Sequence, residues 1–301
     1  MAIRHRQTFR PTITSKFLGD EQPIIYLNRA TGSDANSGTF TSPKLSLDGA
    51  RLALPSTGGK ILVTGSTEAN FVSGFADFST GDVTIEGLNG ETWYCERTLT
   101  LALGGWTSSG GGIYHRAGTT SSGSLWYSNL QDANGLVTIL TQNTGTPSTP
   151  SAGEFGYVTN ELYVHLPGSV DANSYTFKRA STNYLVQASG TCKLTIRNMI
   201  GSYSNGSIVQ VTSANARLTL ENCDLRYGGN GVSDGAASRV ICRNVYSYKQ
   251  TNDGFNANNG SWFLYNCEGA YNLDEGLSPH NACIINIWNS YFHHNGHGGC
   301  T

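Results

Sequence analysis

Residues 252–280 read NDGFNANNGSWFLYNCEGAYNLDEGLSPH, and the triplet Asp253-Gly254-Phe255 returns 22 residues later as Glu275-Gly276-Leu277. The neighbours keep that step, from Asn244 to Asn266 and from Val245 to Cys267. Two series extend it along the chain. Glycines recur at Gly231, Gly254, Gly276 and Gly298, and asparagines at Asn198, Asn222, Asn244, Asn266 and Asn289. Each asparagine closes a short apolar run: KLTIRN, RLTLEN, RVICRN, SWFLYN and IINIWN. A period in the low twenties, repeated this often, is the signature of a solenoid.

The residue types choose among solenoids. Runs such as Leu194-Thr195-Ile196 and Leu218-Thr219-Leu220 are short and alternating and are bounded by Asn and Gly. This is strand-and-turn chemistry without helical periodicity. A leucine-rich repeat of similar length needs more leucines per copy than these contain. The spacing predicts an all-β, right-handed parallel β-helix of about 22 residues per coil, its hand taken from the general preference for right-handed crossovers. Asn suits the recurring corner because it tolerates the left-handed conformation, and stacked amides can hydrogen-bond along the column. Leu220, Cys242 and Leu264 would form one interior column. The run DVTIEGLNG (82–90) reads as an early coil with Gly87 at the Asn corner.

Glycine is abundant, 37 of 301 residues, and charged residues are few at 13%, as in a turn-rich β protein. The net charge of −2 is uneven: the first 17 residues hold Arg4, Arg6, Arg10 and Lys16 without an acid, +4, which leaves −6 for the body. This basic arm (1–19) has no secretory pattern, and no apolar stretch approaches a membrane span. No general nucleic-acid signal is present. Cysteine is odd in number at seven. Cys223 and Cys267 share a column two coils apart, about 10 Å, too far for a disulfide. Free thiols and folding in a reducing cytoplasm are therefore expected.

After the arm, residues 20–95 read as a cap and first coils. A strand (IIYL) leads to the loop Gly32-Ser33-Asp34-Ala35-Asn36-Ser37-Gly38, then Pro43 and a short amphipathic segment with Leu45, Leu47, Ala50, Leu52 and Leu54. The strand Gly58-Gly59-Lys60-Ile61-Leu62-Val63 follows. This segment of about 45 residues resembles the entry to right-handed β-helix proteins of the pectate-lyase-like superfamily, with their capping helix. The resemblance implies a fold and leaves the activity open. Between 96 and 180 the period is lost, which predicts an insertion with its own strands over one face. Its end, ELYVHLPGSVDANSYTFKRA, resembles a segment that precedes the regular coils in bacterial and phage β-helices. Trp106, Tyr114, Trp126 and Tyr127 form either a satellite core or a sugar-stacking surface. Regular coils occupy 181–301 and stop mid-coil, so a partner or further chain is expected to cover the last edge.

The Asp253 and Glu275 column has two readings. One is turn chemistry, since Asn230-Gly231 occupies the equivalent place a coil earlier. The other is catalytic: stacking puts the two carboxyls about 5 Å apart, near the separation of retaining glycosidases, and raises one pKa. Asp274 adds a third carboxyl. With Phe255 and Leu277 inward, alternation sends Asn256, Asn258, Ser278 and His280 outward as a polar strip suited to an extended glycan. Asp253, Glu275 and His280 are thus the catalytic candidates, and Asn256, Asn258, Asp274 and Ser278 the substrate-binding ones. Ser278-Pro279-His280 also resembles the Asp-Pro-His motif of alginate C5-epimerases, but Ser278 replaces the acid, which leaves only His280 to carry over. No cofactor is expected. Calcium on Asp253, Asp274 and Glu275 is the metal alternative, and zinc on His293 and His297 lacks a third ligand fixed by spacing. Asn205-Gly206-Ser207 and Asn259-Gly260-Ser261 fit the glycosylation pattern.

A cytosolic β-helix with a basic arm, built to meet a glycan, resembles a phage tail spike. That resemblance implies a homotrimeric virion protein, docked on tail or baseplate proteins through residues 1–19, which binds host surface polysaccharide and either depolymerises it or serves as a receptor-binding protein only. The alternatives are a bacterial polysaccharide lyase or glycosidase, and a structural virion module.

Overall fold

The computed structural model describes residues 22–101, 104–117, 125–131, 137–180, 183–236 and 238–300, and the arm at 1–19 lies outside them. The chain is a parallel β-solenoid of about 9 turns with about 23 residues per turn, and 6% of it is helical. Each regular coil has three strand segments. In Arg217–Arg226 the strand runs straight to Glu221, turns at Asn222 and continues on a second face, while Asn230–Asp234 builds the third. Neighbouring coils pair in parallel: Leu218 lies beside Val240 and Val240 beside Trp262, and Leu220 beside Cys242 and Cys242 beside Leu264. All of these side chains are buried. Fully burying one large apolar side chain contributes roughly 1.5–3 kcal/mol, so stacked columns supply the cohesion of the coil.

The asparagine series occupies the first corner. Asn198, Asn222, Asn244, Asn266 and Asn289 all have φ between 49° and 56°, the left-handed region. Their amides bond along the column: Asn222 Nδ2 donates to Asn198 Oδ1 (3.2 Å), Asn244 to Asn222 (2.9 Å) and Asn266 to Asn244 (3.2 Å). Gly87 is the aligned residue of the early coil, but its φ is −67°. There the corner is lengthened by a short 3₁₀ turn, and Asn89 takes the left-handed role at φ 56°.

The glycine series needs two corrections. Gly231, Gly254 and Gly276 share a column, but Gly298 sits beside Glu275, one residue out of that register. Nor are the first three at left-handed positions. They are glycine because the interior has no room: a Cβ on Gly254 would lie 2.6 Å from Gly276 O, and one on Gly231 2.1 Å from Ser247 Oγ.

The helix Leu47–Ala53 packs against Ile24–Asn28 and Ala76–Phe78, strands at the ends of two sheets, and so lids the first coil. Its start is set by the Gly/Ser/Asn loop. Asp34 Oδ1 accepts from Leu45 N and Ser46 N, its Oδ2 from Ser46 Oγ (2.7 Å), and Ser46 Oγ caps Gly49 N (3.0 Å). Leu47 and Ala50 are buried, whereas Leu52, expected on the apolar face, is 68% exposed.

Strands from Thr98–Leu101 to Phe177–Ala180 make a separate, mostly antiparallel eight-stranded sheet. Its core holds Trp106, Leu162, Val164 and Phe177, together with Tyr203 and Tyr227 from the coils, so Trp106 belongs to a satellite core and Tyr114 packs on its edge. The side chains of Trp126 and Tyr127 lie outside the described residues. Among the bonds that tie this sheet to the solenoid are Val137 N to Tyr227 Oη (3.0 Å) and Lys178 Nζ to Glu96 Oε2 (2.9 Å). Cys95, Cys192, Cys223, Cys242, Cys267 and Cys283 are free thiols. Among the described residues no helix is long and apolar enough to cross a membrane.

Candidate functional site

The register pairs Phe255 with Leu277 and Asn256 with Ser278, so Asp253 and Glu275 fall in one column of adjacent coils. The contact is direct. Glu275 N donates to Asp253 Oδ1 (3.2 Å), and the two carboxyls share a side-chain hydrogen bond. Asn252 Nδ2 donates to Asp253 Oδ2 (3.0 Å), and Asn230 Oδ1 accepts from Asp253 N (3.1 Å). Asp253 is 2% exposed while Glu275 is half-buried. Glu275 is therefore the outer member and Asp253 lies behind it.

This placement fixes the electrostatics. Burial, the hydrogen bond that the protonated Asp253 carboxyl donates to Glu275, and the charges of Glu275 and Asp274 push the Asp253 carboxyl from 3.8 up to about 7, and the bond from Glu275 N only partly opposes them. At neutral pH the pair thus holds one proton readily, which makes an acid and a carboxylate available side by side.

Ser278 and His280 join the same network. Ser278 Oγ lies 2.9 Å from Glu275 Oε2, to which it donates, and 2.9 Å from His280 Nε2. Ser278 is buried (2% exposed) and not an open strip residue as alternation suggested, because the Glu275 and His280 side chains close over it. It positions Glu275, and His280 reaches the pair only through it. Asp274 is bonded to His297 Nδ1. Oxygens of Asp274 and Glu275 and a His297 nitrogen lie within 4.8 Å of one another, while Asp253, the third carboxyl considered for calcium, turns to Glu275 and stands outside this group. His293 does not join His297: its Nε2 pairs with Glu268 Oε1 (3.0 Å).

A groove of about 410 Å³ lies on the third face; neither carboxyl of the pair lines it, but Asn230, which accepts from Asp253 N, does. Tyr184, Gln210, Asn230, Ser233, Asn256 and Asn258 line it, with no lysine or arginine among its lining residues. Asn258 Nδ2 donates to Asn256 Oδ1 and to Asp234 O, both at 2.8 Å, which fixes the two amides. Asp234 Oδ1 accepts from Asn258 N (2.6 Å) and Asn259 N (3.2 Å), and burial raises its carboxyl. Sequence reasoning found Asn256 and Asn258 but missed Tyr184, Gln210, Ser233 and Asp234. The column Gln187–Gln210–Ser233–Asn256–Ser278 changes residue type at most steps, and only its spacing of 22 or 23 residues marks it.

The fold and site thus define a parallel β-solenoid with a carboxyl pair beside a polar groove whose lining holds no lysine or arginine. No protein-family model matches the chain, and no curated protein matches its sequence. Two solved structures are similar in fold. One is described as a glycoside hydrolase: TM-score 0.53 and 10% identity over 88% of this chain and 76% of that one. The other is a complex of XylC with xylose: TM-score 0.60 and 11% identity over 90% of this chain and 59% of that one. At such identities the likeness is one of fold.

Proposed function

We propose that the chain is a glycan-hydrolysing, receptor-binding protein of the phage tail-spike type, with Glu275 and Asp253 as its catalytic residues. The observation that carries the hydrolytic part is the shared proton of a carboxyl pair that lies beside a polar groove, joined to its lining through Asn230. Protonated Asp253 gives its proton to the leaving glycosidic oxygen while the Glu275 carboxylate bonds to the anomeric carbon. Turning Glu275 toward the sugar breaks its bond to Asp253 and uncovers the acid. Water, deprotonated by Asp253, then releases the sugar and restores both groups. Carboxyls on adjacent coils of one column are far closer to the separation of about 5–5.5 Å of retaining hydrolases, which Glu275 reaches by turning away from Asp253, than to the roughly 6.5–9.5 Å of inverting ones, so retention of the anomeric configuration is expected.

The groove lining favours a neutral glycan. A lyase acting on a uronic acid needs positive charge against the sugar carboxylate, and no lysine or arginine lines this groove. Ser278 in place of the acid of the epimerase motif likewise removes a carboxylate that such chemistry uses.

The tail-spike part is supported by the basic run Arg4, Arg6, Arg10 and Lys16, suited to docking on tail or baseplate proteins, and by the free cysteines of a cytosolic product. On this reading the native assembly is a homotrimer in the virion and the ligand is host surface polysaccharide. Two measurements test it: sedimentation of the purified chain, where a trimer is expected, and its incubation with capsule or lipopolysaccharide. Shortened chains support the reading. A monomer that leaves every surface glycan intact overturns it.

A further inference from the structure

A second cavity, of about 370 Å³, lies between the coils and the inserted sheet. Glu68, Phe71, Tyr94, Glu96, Lys178 and Arg226 are among its lining residues. It sits on a different face from the groove, separated from it by the corner at Tyr203 and Tyr227.

Part of this chemistry is structural. The buried Lys178–Glu96 pair ties the inserted sheet down, and Arg226 is held by both oxygens of Asp224 (3.0 and 2.6 Å). The groups left over need another explanation. Arg226 uses Nε and Nη2 on Asp224, and its Nη1 has no acceptor among the described residues. Lys178 gives one bond to Glu96 and otherwise faces rings, Tyr203 at 4.5 Å and Phe71 at 5.8 Å. Glu68 stands exposed at the rim with no hydrogen bond or ion pair among the described residues. It is nevertheless close enough to help raise the Glu96 carboxyl, chiefly raised by burial, and to help keep Arg226 protonated against its burial.

We infer that this cavity is a second saccharide-binding site, which takes one or two rings of a neutral glycan. Unspent donors on Lys178 and Arg226 and an unspent acceptor on Glu68 suit hydroxyls, which donate and accept at once. Phe71 and Tyr94 add apolar ring surface for the C–H faces of a sugar. The lining cations and carboxylates balance, two against two, which disfavours a strongly anionic ligand. The volume lies within the usual range for a small-ligand pocket, about 300–1,000 Å³.

The test is calorimetric titration of the full chain with neutral oligosaccharides of glucose, galactose, mannose and xylose, and with uronate oligosaccharides as the anionic control. The groove variants Asn256→Ala and Glu275→Gln should still bind one neutral oligosaccharide. Glu68→Gln, an exposed change that does not endanger folding, should weaken that binding on the order of tenfold, as loss of a charged hydrogen bond does, and Phe71→Ala should do likewise. The inference is overturned if no binding survives in the groove variants, if both cavity variants bind undiminished, or if the uronate control binds better. Cavity binding in a chain that cleaves nothing would refute the hydrolytic reading alone.

Discussion

Replacing Asp253 with asparagine tests the raised acid directly, because it removes the ionisable group while keeping its shape. A carboxyl at about 7 when folded and near 3.8 when unfolded binds more protons folded than unfolded between those values. Its contribution is therefore full below pH 4 and is lost as pH rises to 7, at about 1.4 kcal/mol per pH unit, or about 4 kcal/mol in all. The substituted amide can still accept from Glu275 N through its carbonyl oxygen. Its nitrogen then faces the Asn252 donor, which forfeits a 3.0 Å bond worth about 1 kcal/mol. The Asp253→Asn variant should thus be about 1 kcal/mol less stable than the parent at pH 4 and about 3 kcal/mol more stable at pH 8. Urea unfolding of both proteins across this range measures the difference. A stability gap that stays constant from pH 4 to 8 would refute the reasoning.

Other consequences follow from the same geometry. Asn244→Ala places a Cβ-bearing residue at φ 53° and removes ladder bonds on both sides, so it should cost about 2–3 kcal/mol in urea unfolding, whereas Asn244→Gly should cost about 1 or less. Gly254→Ala puts its Cβ 2.6 Å from Gly276 O and 2.8 Å from Asn272 Nδ2, and should destabilise by more than about 3 kcal/mol or prevent folding, seen as lost soluble yield. Ser278→Ala releases Glu275 from its 2.9 Å bond and should lower kcat roughly tenfold with KM little changed, the mark of a positioning residue. Glycan cleavage should fall as pH rises above about 7, where Asp253 loses its proton, a limb that a pH–rate profile would show.

The fold was legible where one residue type is physically required at every coil. The Asn corner demands a left-handed residue with a stacking amide, so Asn198 to Asn289 stand out in the sequence. The second corner has the same backbone at Tyr203, Tyr227, Lys249, Tyr271 and His294, with φ of 52–63°. It escaped notice because Lys249 and His294 interrupt the run of tyrosines, so no single residue type marks every coil. An interior ladder was also hidden: Gln250 Oε1 accepts from Gly228 N, Asn272 Oδ1 from Gln250 N, and Asn295 Oδ1 from Asn272 N. These amides, fully buried at Gln250 and Asn272 and half-buried at Asn295, satisfy backbone donors at the bend and mimic surface residues in composition. At the site, the spacing of 22 brought Asp253 and Glu275 together on paper and in the structure alike. What spacing could not give was depth: that Asp253 lies beneath Glu275, and that Ser278 lies beneath His280.

Release of reducing ends from neutral polysaccharides by the parent chain and by its Glu275→Gln variant, with NMR of the first-formed anomer, is the most direct check. The parent should release chains with their anomeric configuration kept, and the variant should lose nearly all of that activity. Equal release by both proteins, or an inverted product, would contradict hydrolysis by this carboxyl pair.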